Sequence, residues 1–199
     1  MSWFVTPRER VFWGSAGALL ALIYATLSVV RPATELLRAW QLLIPALILV
    51  FGVSAGFALR GLHHRRPGPW EAMMLVGVAL AYGALFFAVR TPEEAMHFVE
   101  YGLVAVLFHA ALAERRRGLE LAGRTPIAAL RRPAVSALVL TVAAGWLDEG
   151  IQHLLPGRYY DLRDVAFNAA AAVLALAAVV GREWARERDG FSMRSSEPG

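Results

Sequence analysis

Apolar residues in this chain come in long blocks separated by short charged segments. The blocks approach or exceed the roughly 20 residues that a helix needs to cross a bilayer core. The first, Val11 to Val30, is uncharged and lies between Arg8-Glu9-Arg10 and Arg31-Pro32. It exceeds the usual ~7–15-residue apolar core of a secretory signal and lacks a small-x-small cleavage site, so it reads as a retained helix. The second runs from Ala39 to Leu59 and the third from Ala72 to Val89. The fourth, Ala95 to Ala113, is interrupted by His97, Glu100 and His109. The fifth, Ala134 to Leu155, carries Asp148, Glu149, Gln152 and His153 near its end. The last, Val165 to Val180, is short and Ala-rich and is expected to begin earlier, near Asp161. The pattern predicts an all-α polytopic transmembrane bundle of about six spans.

Composition agrees. Of 199 residues, 57% are hydrophobic and 18% charged, and the mean hydropathy is +0.48. This excludes a water-soluble enzyme, a disordered regulator and a fibrous protein. Cysteine is absent, which excludes disulfides, Cys-ligated zinc, iron–sulfur clusters and a Cys nucleophile. The formal charge of +4 comes from 20 basic residues, all of them Arg. They cluster between apolar runs, where they set topology, and no nucleic-acid partner is expected.

The arginines also orient the chain. Fifteen lie on one side: Arg8 and Arg10; Arg60, Arg65 and Arg66; Arg115, Arg116, Arg117, Arg124, Arg131 and Arg132; Arg182, Arg186, Arg188 and Arg194. Five lie on the other: Arg31, Arg38, Arg90, Arg158 and Arg163. The positive-inside rule then places both termini in the cytoplasm. Trp13, Trp40, Trp70 and Trp184 fall near span ends, where an indole prefers the interface. The segment Glu114–Arg132 reads as a basic loop anchored on anionic lipid, or as an interfacial amphipathic helix. The expected organisation is residues 1–92 with three spans, 93–180 with three spans and the polar residues, and 181–199 as a cytoplasmic tail, disordered after Gly190.

Several motifs carry no chemistry. Gly52-Val53-Ser54-Ala55-Gly56 fits a nucleophile elbow, but that motif requires a strand-to-helix turn. The same residues fit G-x-x-x-G, which lets membrane helices approach closely. His63-His64 reads as a solvated turn and His109 as a helix–helix hydrogen-bonding residue. The run Ala169–Ala172 supplies a smooth packing face.

The remaining polar residues within the spans gather on the outer side. Each ionisable group there costs roughly 2.5–3.5 kcal/mol on insertion scales and therefore tends to face the bundle interior. His97, Glu100 and Tyr101 share one helix face by their i, i+3, i+4 spacing. Asp148, Glu149 and Gln152 form a second group. Pro156-Gly157 then stops the helix, Arg158 follows, and Asp161, Asp164 and Asn168 share a third face at i, i+3, i+7. Asp161 also has the position and type of an N-cap, and Glu93 and Glu94 read as the start of the fourth helix. The three faces are expected to line one shared site.

The pattern Asp148-Glu149-x-x-Gln152, then Pro156-Gly157-Arg158-x-x-Asp161-x-x-Asp164-x-x-x-Asn168, resembles the signature of the VanZ-like family of bacterial membrane proteins. His97-Phe98-x-x-Tyr101 is similar to the family's other conserved element. The resemblance covers about Glu93 to Val180. Glu93-Glu94 stands where the family often has an acidic–basic pair, and Ala169–Ala172 replaces a Gly often found after the Asn. The resemblance implies an integral protein of the bacterial cytoplasmic membrane. The family's founding member is associated with reduced susceptibility to a lipid-tailed glycopeptide antibiotic.

Three functions remain open at this stage. His97, Glu100, Tyr101, Asp148, Glu149, Gln152, Arg158, Asp161, Asp164 and Asn168 could bind a membrane-lipid head group or an amphiphilic drug. In that case Arg158 would take phosphate or carboxylate in a bidentate manner, and the acids would take amines or sugar hydroxyls. Alternatively, His97, Glu100, Asp148, Glu149 and Asp164 could hold a divalent cation in an enzyme acting on a lipid-linked envelope precursor. A third reading is a structural subunit of a membrane-protein complex. No cofactor is specified by any motif.

Overall fold

The computed structural model describes residues 3–46, 48–49, 52, 67–88, 92–156 and 160–195. All regular structure among them is helical: α1 (Pro7–Ala39), α2 (Pro69–Phe87), α3 (Pro92–Leu121), α4 (Ala128–Arg131), α5 (Pro133–His153) and α6 (Leu162–Ser195). Among the described residues, four stretches are long and apolar enough to cross a membrane: Pro7–Val29, Glu94–Leu121, Pro133–His153 and Leu162–Arg188. A fifth apolar helix, Pro69–Leu85, is shorter. Residues 43–46, 48–49 and 52 of the expected second span are also helical; about half of that span, with the Gly52–Gly56 motif beyond Gly52 and His63-His64, lies outside the described residues.

Local chemistry sets the helix ends. Thr6 caps α1 by accepting a hydrogen bond from the Glu9 amide at 3.1 Å, and Pro7 fills the first helical position, where its missing N–H does no harm. Glu9 turns back to accept the Val5 amide at 2.7 Å, a variant of the reciprocal capping box. The first span was expected to stop at Arg31-Pro32. Instead α1 continues through Pro32 to Ala39, about 50 Å at 1.5 Å per residue. Pro32 removes one helical donor, a loss tolerated near the end of an apolar stretch because hydroxyl side chains or water can satisfy the freed carbonyl. The stop comes at Gln41, which adopts φ 58°. Leu42 N–H donates to Leu37 O at 2.8 Å and Gln41 N–H to Arg38 O at 3.0 Å, the bonding pattern of a Schellman cap.

Two further expectations are corrected. Glu114–Arg132 is not one loop: α3 extends to Leu121 and ends at Gly123, φ +68°, again with Schellman bonding from Gly123 and Arg124. A single turn, α4, then precedes α5. The segment after Gly190 begins as helix rather than as a disordered tail, because α6 runs on to Ser195.

The bundle is built around α3 and α6. They pack on each other and both pack on α5, while α1 lies mainly on α3 and α2 on α6. The two expected parts, 1–92 and 93–180, thus share one helix bundle. Close approach depends on small residues, as membrane helices require. Ala16, Ala105, Ala111, Ala137, Ala171 and Ala172 are fully buried. At Gly118, an added Cβ would come within 2.7 Å of the Val5 side chain.

One end of the bundle is pinned by buried carboxylates. Glu9 accepts from Arg115 Nη1 at 2.8 Å, joining α1 to α3, and Thr6 Oγ1 donates to Glu114. Glu71 accepts from Arg182 Nε and from Arg186 Nε at 3.1 Å, joining α2 to α6. Trp70 and Trp184 meet edge-on at 6.2 Å, with the Arg188 guanidinium over both rings. Trp13 instead turns inward and packs on Phe108 at 5.5 Å.

Candidate functional site

The start of α3, the end of α5 and the start of α6 meet at the opposite end of the bundle. His97 on α3 places Nδ1 at 3.4 Å from Glu100 Oε2 and 3.8 Å from Asp148 Oδ2 on α5. Asp148 and Glu149 are 0% exposed, Asn168 on α6 is 1% and Gln152 2%. Gly145 permits this convergence. A Cβ there would lie 3.3 Å from the Asn168 side chain and 3.6 Å from the Tyr101 ring. A larger residue would be in ordinary contact with the Tyr101 ring and would require the Asn168 side chain to give by a few tenths of an ångström. Asp164 acts electrostatically on His97 and Glu149.

The sequence-predicted residues separate into two groups by their hydrogen bonds. Glu149, expected as a ligand contact, clasps the α5–α6 connection: Oε2 accepts the Asp161 amide at 3.1 Å and Oε1 accepts Gln152 Nε2 at 3.4 Å. Asp161 is the N-cap residue of α6, its Oδ1 accepting the Arg163 amide at 2.8 Å, where a carboxylate also suits the helix dipole. Tyr101 is fully buried and donates to the Ala144 carbonyl at 3.5 Å. That carbonyl also accepts the Tyr24 hydroxyl of α1 at 2.9 Å. These residues shape the site.

The second group has close polar neighbours, Glu100 beside His97 and Tyr101 and Gln152 beside Asp148, but no hydrogen bond of good geometry. Among the described residues, His97 Nδ1, both oxygens of Asp148, and both Nδ2 and Oδ1 of Asn168 are buried without a hydrogen-bond partner in the protein. One such group comes from each of three helices. A buried polar atom left unpaired costs about 1–3 kcal/mol, so their concentration at one place points to a role beyond packing. Glu100, 24% exposed in its side chain, forms the rim.

Arg158 lies outside the described residues. A basic residue that sequence reasoning treated only as a topology marker, Arg163, works nearby. Its Nη2 sits 3.8 Å from Glu94 Oε2 and donates to the Ala88 carbonyl at 2.8 Å, while its guanidinium stacks 4.8 Å from the Phe167 ring centre. Tyr24, Glu9 and Glu71 were also missed. The signal for Glu9 was its place three residues after Thr6; that for Glu71 was being the one acid between Arg60 and Ala72. His109 lies half-buried in α3, within electrostatic range of Glu183.

The described His, Asp and Glu side chains form no group of three placed to hold a metal ion. The donor geometry therefore lends no support to the divalent-cation reading. Comparisons with protein-family models, curated proteins and solved structures gave no match.

Proposed function

We propose that this chain is a VanZ-like integral protein of the bacterial cytoplasmic membrane. In this reading it has six spans, both termini are cytoplasmic, and the outward-facing polar cluster binds an envelope-lipid head group or an amphiphilic, glycopeptide-type ligand. The observation that carries the reading is the set of unpaired buried groups on His97, Asp148 and Asn168. A scaffold would pair such groups or replace them with apolar residues; a binding site leaves them for its ligand. Arg158, next in sequence to this region, is the candidate partner for a phosphate or carboxylate on the same ligand. The family reading is supported by the spacing from Asp148 to Asn168 and by His97-Phe98-x-x-Tyr101.

Retention of ligand tests the binding. In native mass spectrometry of protein extracted gently from its membrane, the wild type is expected to carry a one-to-one amphiphile adduct. Asp148→Asn is expected to lose it. Equal adducts on both proteins would contradict the assignment of the site.

Orientation is tested separately. The chain has no Cys, so single cysteines report cleanly. Cysteines at His64 and Gly118 should resist a membrane-impermeant maleimide in intact cells, and one at Tyr159 should react. Labelling at Gly118 without labelling at Tyr159 would reverse the topology.

A further inference from the structure

We infer that the group gripped at Asp148 is a protonated amine with N–H bonds to donate, and that this part of the site rejects phosphate. The inference rests on the head-group reading above and names the ligand class that the same site selects.

Hydrogen-bond polarity comes first. A carboxylate offers only acceptors, and Asp148 is fully buried with neither oxygen in a hydrogen bond of good geometry, its polar neighbours being Tyr101, Gln152 and His97. Asn168 Oδ1 is a further unpartnered acceptor. A ligand that satisfies them must supply several donors from one small group, as an ammonium does with its three N–H bonds. A phosphate brings mostly acceptors and would face Asp148 oxygen to oxygen.

Charge points the same way. Glu100 and Asp164 act on the His97 ring alongside Asp148, and Glu149 follows Asp148 in sequence. Arg163, at the start of α6, is directed to Glu94 and the Ala88 carbonyl. Counting His97, 3.8 Å from Asp148, acidic groups still outnumber basic ones around Asp148 among the described residues, and in a medium of low dielectric this excess attracts a cation and repels an anion. Glu100 neighbours His97 at 3.4 Å and keeps partial exposure.

Three probes sharing one alkyl tail separate the terms: dodecylammonium, dodecyltrimethylammonium and dodecyl phosphate. Their saturable binding is measured to the full chain in phosphatidylcholine nanodiscs, beside Asp148→Asn and Glu100→Gln in identical discs. Dodecylammonium should bind at least about tenfold tighter than either other probe, and Asp148→Asn should remove at least about tenfold of that affinity, the scale expected when a charge-assisted hydrogen bond is lost. Glu100→Gln, at the rim, should remove a smaller part and keeps the test usable if Asp148→Asn fails to fold. Equal affinity for the trimethyl probe would overturn the N–H requirement. Tighter dodecyl phosphate binding that still depends on Asp148 or Glu100 would overturn the amine assignment and leave a head-group site. If no probe shows saturable binding that depends on either residue, the head-group reading falls as well.

Discussion

Glu71→Gln is expected to lower the unfolding temperature of the detergent-solubilised protein by roughly 5–10 °C. Glu71 is buried and its carboxylate accepts from both Arg182 and Arg186. Removing one partner of a buried ion pair costs about 3–5 kcal/mol, because the other charge is stranded. Arg186 is 40% exposed in its side chain and keeps access to water, which reduces the expected loss to about 2–3 kcal/mol. The effect is concentrated on α2, the shorter apolar helix, which packs on α6 and is tied to it by this carboxylate. Thermal unfolding of the wild type, Glu71→Gln and the double variant Glu71→Gln with Arg182→Met checks the assignment. The double variant should recover part of the loss. A single variant that melts within about 2 °C of the wild type would show that the pair does not hold α2.

Asp148→Asn is expected to shift stability in the opposite direction, raising the unfolding temperature by roughly 5 °C while ligand retention is lost. Asp148 is as deeply buried as Glu71, yet its oxygens make no hydrogen bond of good geometry within the protein; His97 Nδ1 lies 3.8 Å from it. Neutralising it removes a buried charge without orphaning a hydrogen-bonded one, a relief of about 2 kcal/mol. Such a gain in stability with loss of function is the usual trade at a binding site. Glu149→Gln should move the melting temperature less in either direction, because the amide oxygen can still accept the Asp161 N–H. A fall for Asp148→Asn comparable to that of Glu71→Gln would make Asp148 a structural partner of His97.

The helices were legible because bilayer thickness imposes a length that apolar runs display directly. α5, observed from Pro133 to His153, lies within two residues of its expected bounds at either end. The start of α6 beside Asp161 was legible because a carboxylate before an apolar run caps a helix whatever surrounds it. Helical spacing also put His97, Glu100 and Tyr101 on one face, and Asp164 and Asn168 on another. Spacing cannot tell which neighbour a face meets, and so it could not separate Glu149, which accepts the Asp161 amide, from Asp148, which does not. The same limit concealed Glu9 and Glu71. An acid in the first turn of a helix looks like a flanking charge until the neighbouring helix brings an arginine to it. Continuation of α1 through Pro32 was missed because proline's effect depends on where the freed carbonyl lies, a tertiary property.

A structure determined from protein held in its native lipid tests the central claim most directly. The account predicts non-protein density at the end of the bundle where α3, α5 and α6 converge, within hydrogen-bonding distance of Asp148 and Asn168 and beside His97. Glu149 should still clasp the Asp161 amide. A dry cluster, with Asp148 and Asn168 fully paired to protein groups or with any one of the three polar helix faces turned to lipid, would contradict it.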